Sequence, residues 1–256
     1  MCARIAVMPA GSIRARVRAE MIEEIKATAR RHLAAEGANL SLRAVARDMG
    51  MVSSALYRYF ASRDDLLTAL IMDAYDALGD AVETADARVA DRDDLLGRWL
   101  AAGHAIRDWA LANPAEYALL FGSPVPGYAA PTDTVRAAAR TPAVLVGIAA
   151  DGVRAGTLAE HDPDDLPEQV RADATAIAAS FSPDVPPAAL TAAMLAWMSL
   201  FGAVSFELFG QLNNTVYARR ELFGHHLRRL AGHLGLPAGD HPKGRTPDSP
   251  KTRNRR

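Results

Sequence analysis

Apolar residues recur along the chain with helical spacing. Val17, Met21, Ile25 and Ala29 follow one another at i+4, flanked by Ile22 and Leu33. This predicts a helix from Arg14 to Glu36 that stops at Gly37, with Asn39 extending the turn. Ser41 can cap a short helix to about Met49, and Gly50 then breaks the chain. A second short helix is expected from about Ser53 to Phe60. Ser62-Arg63-Asp64-Asp65 has the form of a capping box, with Asp in place of the usual Glu or Gln. It opens a long helix through Leu66, Leu67, Leu70, Ile71, Tyr75 and Leu78. No hairpin turn or alternating strand shows in this stretch.

Beyond it the pattern predicts five or six more helices. One runs from Asp91 to Ala112, and Asn113-Pro114-Ala115-Glu116 places an N-cap, a proline at N1 and Glu at N3 for the next. Residues 123–131 are a loop with three prolines and a glycine. Thr134 to Arg154 reads as a helix kinked at Pro142 and ended by Gly156. After an acidic loop, Glu168 to Ala179 is helical. A long apolar helix then reaches about Gly210, and the last helix runs from about Val216 to Leu234.

Composition agrees with an all-α protein: 52 of 256 residues are Ala, a strong helix former, and β-branched and aromatic residues are few. The single cysteine, Cys2, excludes an internal disulfide framework. No signal peptide is recognisable, so a cytoplasmic protein is expected. The net charge of -1 conceals an asymmetry. Residues 1–63 carry a net +6, residues 64–236 a net -11, and residues 237–256 a net +4. A basic head on an acidic body implies that the head alone meets a polyanion.

Two short helices about a glycine turn, the second ending in aromatics, form a helix-turn-helix pattern. Val45, Met49, Met51, Leu56 and Phe60 can anchor it from inside, leaving Ser53, Ser54, Ala55, Tyr57 and Tyr59 facing out. Small polar side chains let a helix sit deep in the major groove, and tyrosine hydroxyls reach phosphates. Residues 40–67, LSLRAVARDMGMVSSALYRYFASRDDLL, resemble the DNA-binding segment of the TetR family of bacterial repressors. Ser41, Ala46, Gly50, Leu56, Tyr57, Phe60, Arg63 and Leu66 fall on that family's pattern, and the likeness covers about residues 15–70. One departure is Val52, where the family often has Ser or Glu. Valine is a poor cap, so Ser53 is expected to cap in its place. The resemblance implies a homodimer that represses transcription until a small ligand binds its C-terminal domain. The expected DNA contacts are Ser41, Arg43, Ser53, Ser54, Ala55, Tyr57, Tyr59 and Arg63, with Tyr57 and Arg63 on phosphate. The partner is a double-stranded operator.

The segment WMSLFGAVSFELFG, with Trp197, Gly202, Phe206, Glu207 and Gly210, resembles a TetR subgroup with a Trp- and Gly-marked penultimate helix. Trp99, Trp109, Tyr117, Phe121, Trp197 and Phe201 are candidates to line a cavity for a small apolar effector; the alternative for each is plain core. Trp99 and Trp109 would bracket the cavity from one wall. Residues 185–206 carry no charge and are long enough to span a bilayer, but lack Lys/Arg flanks. A helix buried between two subunits is expected instead, with no membrane partner. His226 and His233 lie too far apart for one metal ion, and no phosphate loop, dinucleotide fingerprint or nucleophile–base pair is present, so no cofactor, metal or catalytic residue is expected. The expected domains are an arm (1–13), the helix-turn-helix domain (14–62), a ligand-binding and dimerisation domain (63–236) and a disordered basic tail (237–256). The alternatives are an all-helical enzyme with an unrecognised site, or a DNA-binding module whose body only docks a protein.

Overall fold

A computed structural model describes residues 10–37, 40–160, 162 and 165–237. Residues 238–256 of the basic tail, residues 1–9 of the arm and Asn39 of the turn after the first helix lie outside them. Among the described residues there are eleven helices and no strand. The first is α1 (Ala10–Glu36), followed by α2 (Leu42–Asp48), α3 (Ser53–Leu56), α4 (Arg63–Ala87) and α5 (Leu95–Ala112). Then come α6 (Pro114–Phe121), α7 (Thr134–Ala138), α8 (Arg140–Ala155), α9 (Glu168–Phe181), α10 (Pro187–Leu208) and α11 (Arg219–His233).

The head is built as the periodicity dictates. Ile25, Ala29 and Leu33 of α1 meet Leu42, Val45 and Ala46 of α2, Leu56 of α3, and Leu66, Leu67 and Leu70 of α4. Helix α1 starts at Ala10, four residues earlier than expected, and Val17 is exposed, so its apolar stripe becomes core only from Met21 onward. Gly50 adopts φ +66 with no heavy atom near where a Cβ would stand, so the left-handed backbone is what calls for glycine. Ser62 accepts from Asp65 N–H while the Asp65 carboxylate accepts from Ser62 N–H, a complete capping box with Asp at N3.

The body packs α4, α5, α8, α10 and α11 around Trp99, Ile106, Tyr117, Ile148 and Leu200. Arg98 joins three elements, donating to Asp86 (2.8 Å), Asp151 (2.6 Å) and the Arg92 carbonyl (3.2 Å). Burial pushes the Asp86 carboxyl up, but hydrogen bonds from Arg98 and Arg92 outweigh it and hold the group below the usual carboxylate range.

Several boundaries differ from expectation. Asn113 caps nothing on α6; its amide donates to the Trp109 carbonyl at 2.8 Å, closing α5 instead. Helix α5 begins at Leu95 rather than Asp91, because the Asp94 carboxylate accepts from Gly97 N–H as the N-cap. The break near Pro142 falls three residues before it, between α7 and α8. A proline ring crowds the carbonyl four residues back, here Ala138, the last residue of α7. Helix α10 is long and apolar enough to cross a bilayer, yet its inner face is bonded into the core. Glu207 accepts from Arg107 Nε and Nη2 (2.7 and 2.5 Å), and the Phe201 carbonyl accepts from Tyr117 (3.0 Å). Its outer face, with Leu195, Met198 and Phe206, is exposed.

Candidate DNA-binding face and effector cavity

On the head, Ser41 holds an extended backbone and its Oγ accepts from Ala44 N–H at 3.4 Å. This starts α2, whose Arg43 in the first turn and Arg47 in the last are exposed. Helix α3 packs against it. Its N-cap position is Val52, which is 70% exposed and makes no side-chain cap; Ser53 is the first helical residue and does not cap in its place. The helix forms regardless, because Ala55 N–H bonds to the Val52 carbonyl at 2.9 Å. Ser54, Tyr57 and Arg58 are exposed, whereas Ser53 and Ala55 are half-buried.

Tyr59 does not face out. It is half-buried against the head core, and the Arg18 guanidinium sits 5.1 Å over its ring while also donating to the Arg58 carbonyl. Its place in the turn after α3, against Arg18 of α1, takes up one face of this side chain, and Tyr57 is the more exposed of the aromatic pair. Arg63 is half-buried, its Nε donating to the Leu40 carbonyl at 3.0 Å. It therefore ties the start of α4 to the segment that precedes α2. Ser41, Arg43, Tyr57 and Arg63 meet around one open concavity of about 500 Å³. Backbone N–H groups at a helix start, a phenol and two guanidinium groups in one hollow suit a phosphate. Ser53, Ser54 and Ala55 lie outside this hollow on α3. Arg58 was not expected at the face; its one signal in the sequence is a cation directly after Tyr57.

In the body, an apolar cavity of about 410 Å³ opens between α4, α6, α7, α8 and α10. Three of the six aromatic candidates line it: Phe121, Trp197 and Phe201. Tyr117 lies one layer behind, fully buried, 5.0 Å from the Phe121 ring, with its hydroxyl on the Phe201 carbonyl and Ser205 Oγ. Trp99 is core, its Nε1–H donating to the Leu227 carbonyl at 2.9 Å, and Trp109 packs half-buried on the same core. Neither lines the cavity, so the bracket expected from α5 does not form. Tyr75 and Thr141 do line it. The pattern of α4 marks Tyr75 only as inward-facing, and nothing in the sequence reveals Thr141. Burial, and secondarily Tyr128, raise the Tyr75 phenol above its usual value.

The cavity rim is fastened from outside. Arg140, the first residue of α8, spans three carboxylates of α4: Asp76 (2.9 Å), Asp80 (2.5 Å) and Glu83 (2.7 Å). These bonds raise its pKa. Gly79 gives it room, since a Cβ there would stand 2.8 Å from Arg140 Nε.

Residues 25–70 match the family model for bacterial regulatory proteins, tetR family. Residues 99–230 match the model for the tetracyclin repressor-like C-terminal domain. The HTH-type transcriptional regulator Rv1816 of Mycobacterium tuberculosis (strain ATCC 25618 / H37Rv) is 42% identical over 216 residues, 82% of this chain and 88% of its own length. The chain belongs to the TetR family. The regulator Mb1846 of Mycobacterium bovis aligns to the same extent. The crystal structure of SCO4313 superposes with a TM-score of 0.67 at 38% identity, covering 85% of this chain and 98% of that one. A tetR-family regulatory protein from Rhodococcus RHA1, 16% identical with a TM-score of 0.57, shares the fold; the match covers 85% of this chain and 98% of that one. This TetR-family protein is accordingly an all-α, DNA-binding transcriptional regulator and not an enzyme.

Proposed function

We infer that this TetR-family regulator is a cytoplasmic repressor that binds a palindromic operator as a homodimer and is released by a small apolar effector. The observation that carries the reading is α4. Its first turn, Ser62 and Arg63, borders the phosphate-sized hollow on the head, and Tyr75 and Leu78 of the same helix wall the body cavity. The two ends are about 20 Å apart at 1.5 Å per residue. A ligand that displaces α4 at Tyr75 also moves the head. In a two-fold dimer the α3 helices must stay about 34 Å apart to enter successive major grooves. The effector would select the conformation in which that spacing is lost.

The test is operator binding by the purified protein, using DNA upstream of its own gene, read by fluorescence anisotropy across a salt series. Arg63→Ala is expected to weaken binding to all sequences alike and to lower the salt slope by about 1, the loss of one phosphate contact. Tyr57→Phe should weaken binding with little change in slope, whereas changes at Ser53 and Ser54 should alter base preference. An unchanged slope in Arg63→Ala, with its thermal stability intact, removes that residue from the DNA face. A titration of the wild-type complex with compact apolar compounds that quench tryptophan tests release.

A further inference from the structure

A second cavity, of about 180 Å³, lies on the other side of Trp197, between α8, α9 and α10. Leu145, Val146, Ile177, Leu190 and Met194 line it, and it offers no polar side chain other than the indole itself. Trp197 and Pro142 belong to both linings, so one indole and one pyrrolidine ring divide the two spaces. The larger chamber has polar groups in its wall, at Tyr75 and Thr141. The smaller is hydrocarbon throughout.

The partition is itself unusual. Trp197 Nε1 is buried and has no hydrogen-bond partner. An unmet buried donor costs about 1–3 kcal/mol. Two imidazole nitrogens of the body, His104 Nδ1 and His226 Nε2, are also buried without a partner, but an imidazole nitrogen can carry a lone pair instead of a proton, whereas an indole nitrogen is always a donor. The indole of Trp99 donates to the Leu227 carbonyl, and the Tyr117 hydroxyl bonds to Phe201 and Ser205. Because the Trp197 atom is buried within one protomer, a second copy of the chain cannot reach it without opening the wall. No charged side chain lines either chamber. The nearest cation by sequence, Arg140, is engaged by three carboxylates of α4.

We propose that the two cavities are one divided effector site, which takes an elongated, uncharged molecule with a carbonyl-type acceptor and a saturated chain. Trp197 Nε1 is covered while the wall is closed; as the indole turns aside it is uncovered to meet the acceptor, and the chain enters the smaller chamber. A carboxylate is rejected, because burying an anion there finds no counter-charge. This rests on the effector reading above and adds the shape and chemistry of the ligand.

The test uses straight-chain methyl ketones with pentyl to undecyl chains, and the matching free carboxylates, on the full chain. Binding is read by tryptophan fluorescence and thermal shift, and operator release by anisotropy. Ketone affinity should rise about fourfold per added methylene and then level off once both chambers are filled. The carboxylates should bind at least about tenfold more weakly, the cost of desolvating the anion. Trp197→Phe keeps a ring in the wall but removes the donor, and should weaken every ketone by about fivefold. Met194→Trp, at a position 36% exposed, should crowd the small chamber and flatten the chain-length dependence while leaving short ketones unaffected; an unchanged thermal midpoint of the ligand-free variant checks that it folds as wild type. Ketones that bind with no gain from length, or a gain that survives Met194→Trp, overturn the divided site and leave the effector reading in place. If no ketone binds but a compact aromatic releases the operator, the proposal fails alone. If nothing that enters the cavity releases the operator, the effector reading fails with it.

Discussion

Met198→Glu combined with Phe206→Glu should convert the proposed homodimer into monomers and abolish tight operator binding, with each isolated chain still folded. Both residues stand on the outer face of α10, 50% and 57% exposed, beside Leu195, Phe209 and Leu222. They are eight positions apart, which places them on one helical stripe. Between them is Gly202, where a Cβ would meet no atom of the protomer. A glycine within a helix costs about 1 kcal/mol relative to alanine. Nothing inside a single chain repays that cost, whereas two α10 helices crossing at Gly202 could approach closely. The groove between α10 and α11, about 420 Å³ and lined by Ala203, Phe206, Leu222 and Phe223, offers a socket for the partner's side chains. In a two-fold contact each substitution appears twice. Four carboxylates in one apolar interface repel one another and lose hydration, at several kcal/mol. The dissociation constant should rise by at least about a thousandfold, equivalent to about 4 kcal/mol. Light scattering at micromolar concentration reads the result, and a variant that remains dimeric places the interface elsewhere.

Glu207→Ala should be among the most destabilising single changes in the body. Its carboxylate holds Arg107 through two hydrogen bonds, and both side chains are more than nine-tenths buried. Asp108 approaches Arg107 only at 3.4 Å, and Arg107 also lies 5.9 Å from the Phe223 ring centre. Removing the carboxylate leaves a guanidinium in the core with one weak partner. Breaking a buried pair on one side costs about 3–5 kcal/mol, which lowers Tm by roughly 6–20 °C in a chain of this size. Arg107→Met in the Glu207→Leu background should recover most of that loss, since hydrocarbon of similar volume carries no desolvation cost. Calorimetry on the three proteins checks the order. A Glu207→Ala protein as stable as wild type would mean that the pair is hydrated in solution.

The head was legible in the sequence because its signals are local. Gly50, the Ser62–Asp65 box and the i+4 row from Met21 to Leu33 each act within a few residues, and the structure uses all three. Errors arose where one residue could serve two neighbours. Asn113 precedes a proline and looks like a cap for α6, but its amide reaches back to Trp109. Tyr57 and Tyr59 read alike, and only the distant Arg18 decides which one is turned inward. The cavity was less legible for a related reason. Its walls come from α4, α6, α7, α8 and α10, so periodicity identifies inward residues without saying which inward space is left unfilled. Trp99 and Trp197 are the same residue on apolar helices. A carbonyl of α11 meets one indole N–H, and nothing meets the other.

The loop after α6 makes the head less separable than a boundary at residue 62 implies. Phe121 is in the cavity wall, and four residues later Val125 is buried in the core of the head, among Ile25, Leu42 and Leu67. Tyr128 then fastens the same loop to Thr68 of α4 at 3.0 Å. The head is therefore completed by a plug that the chain supplies some sixty residues after α4 begins. A recognition module cut out at the sequence boundary would have a hole where Val125 belongs. Grafting this head onto a relative's body, to redirect an existing sensor to a new promoter, therefore means transplanting the segment around Val125 and Tyr128 as well.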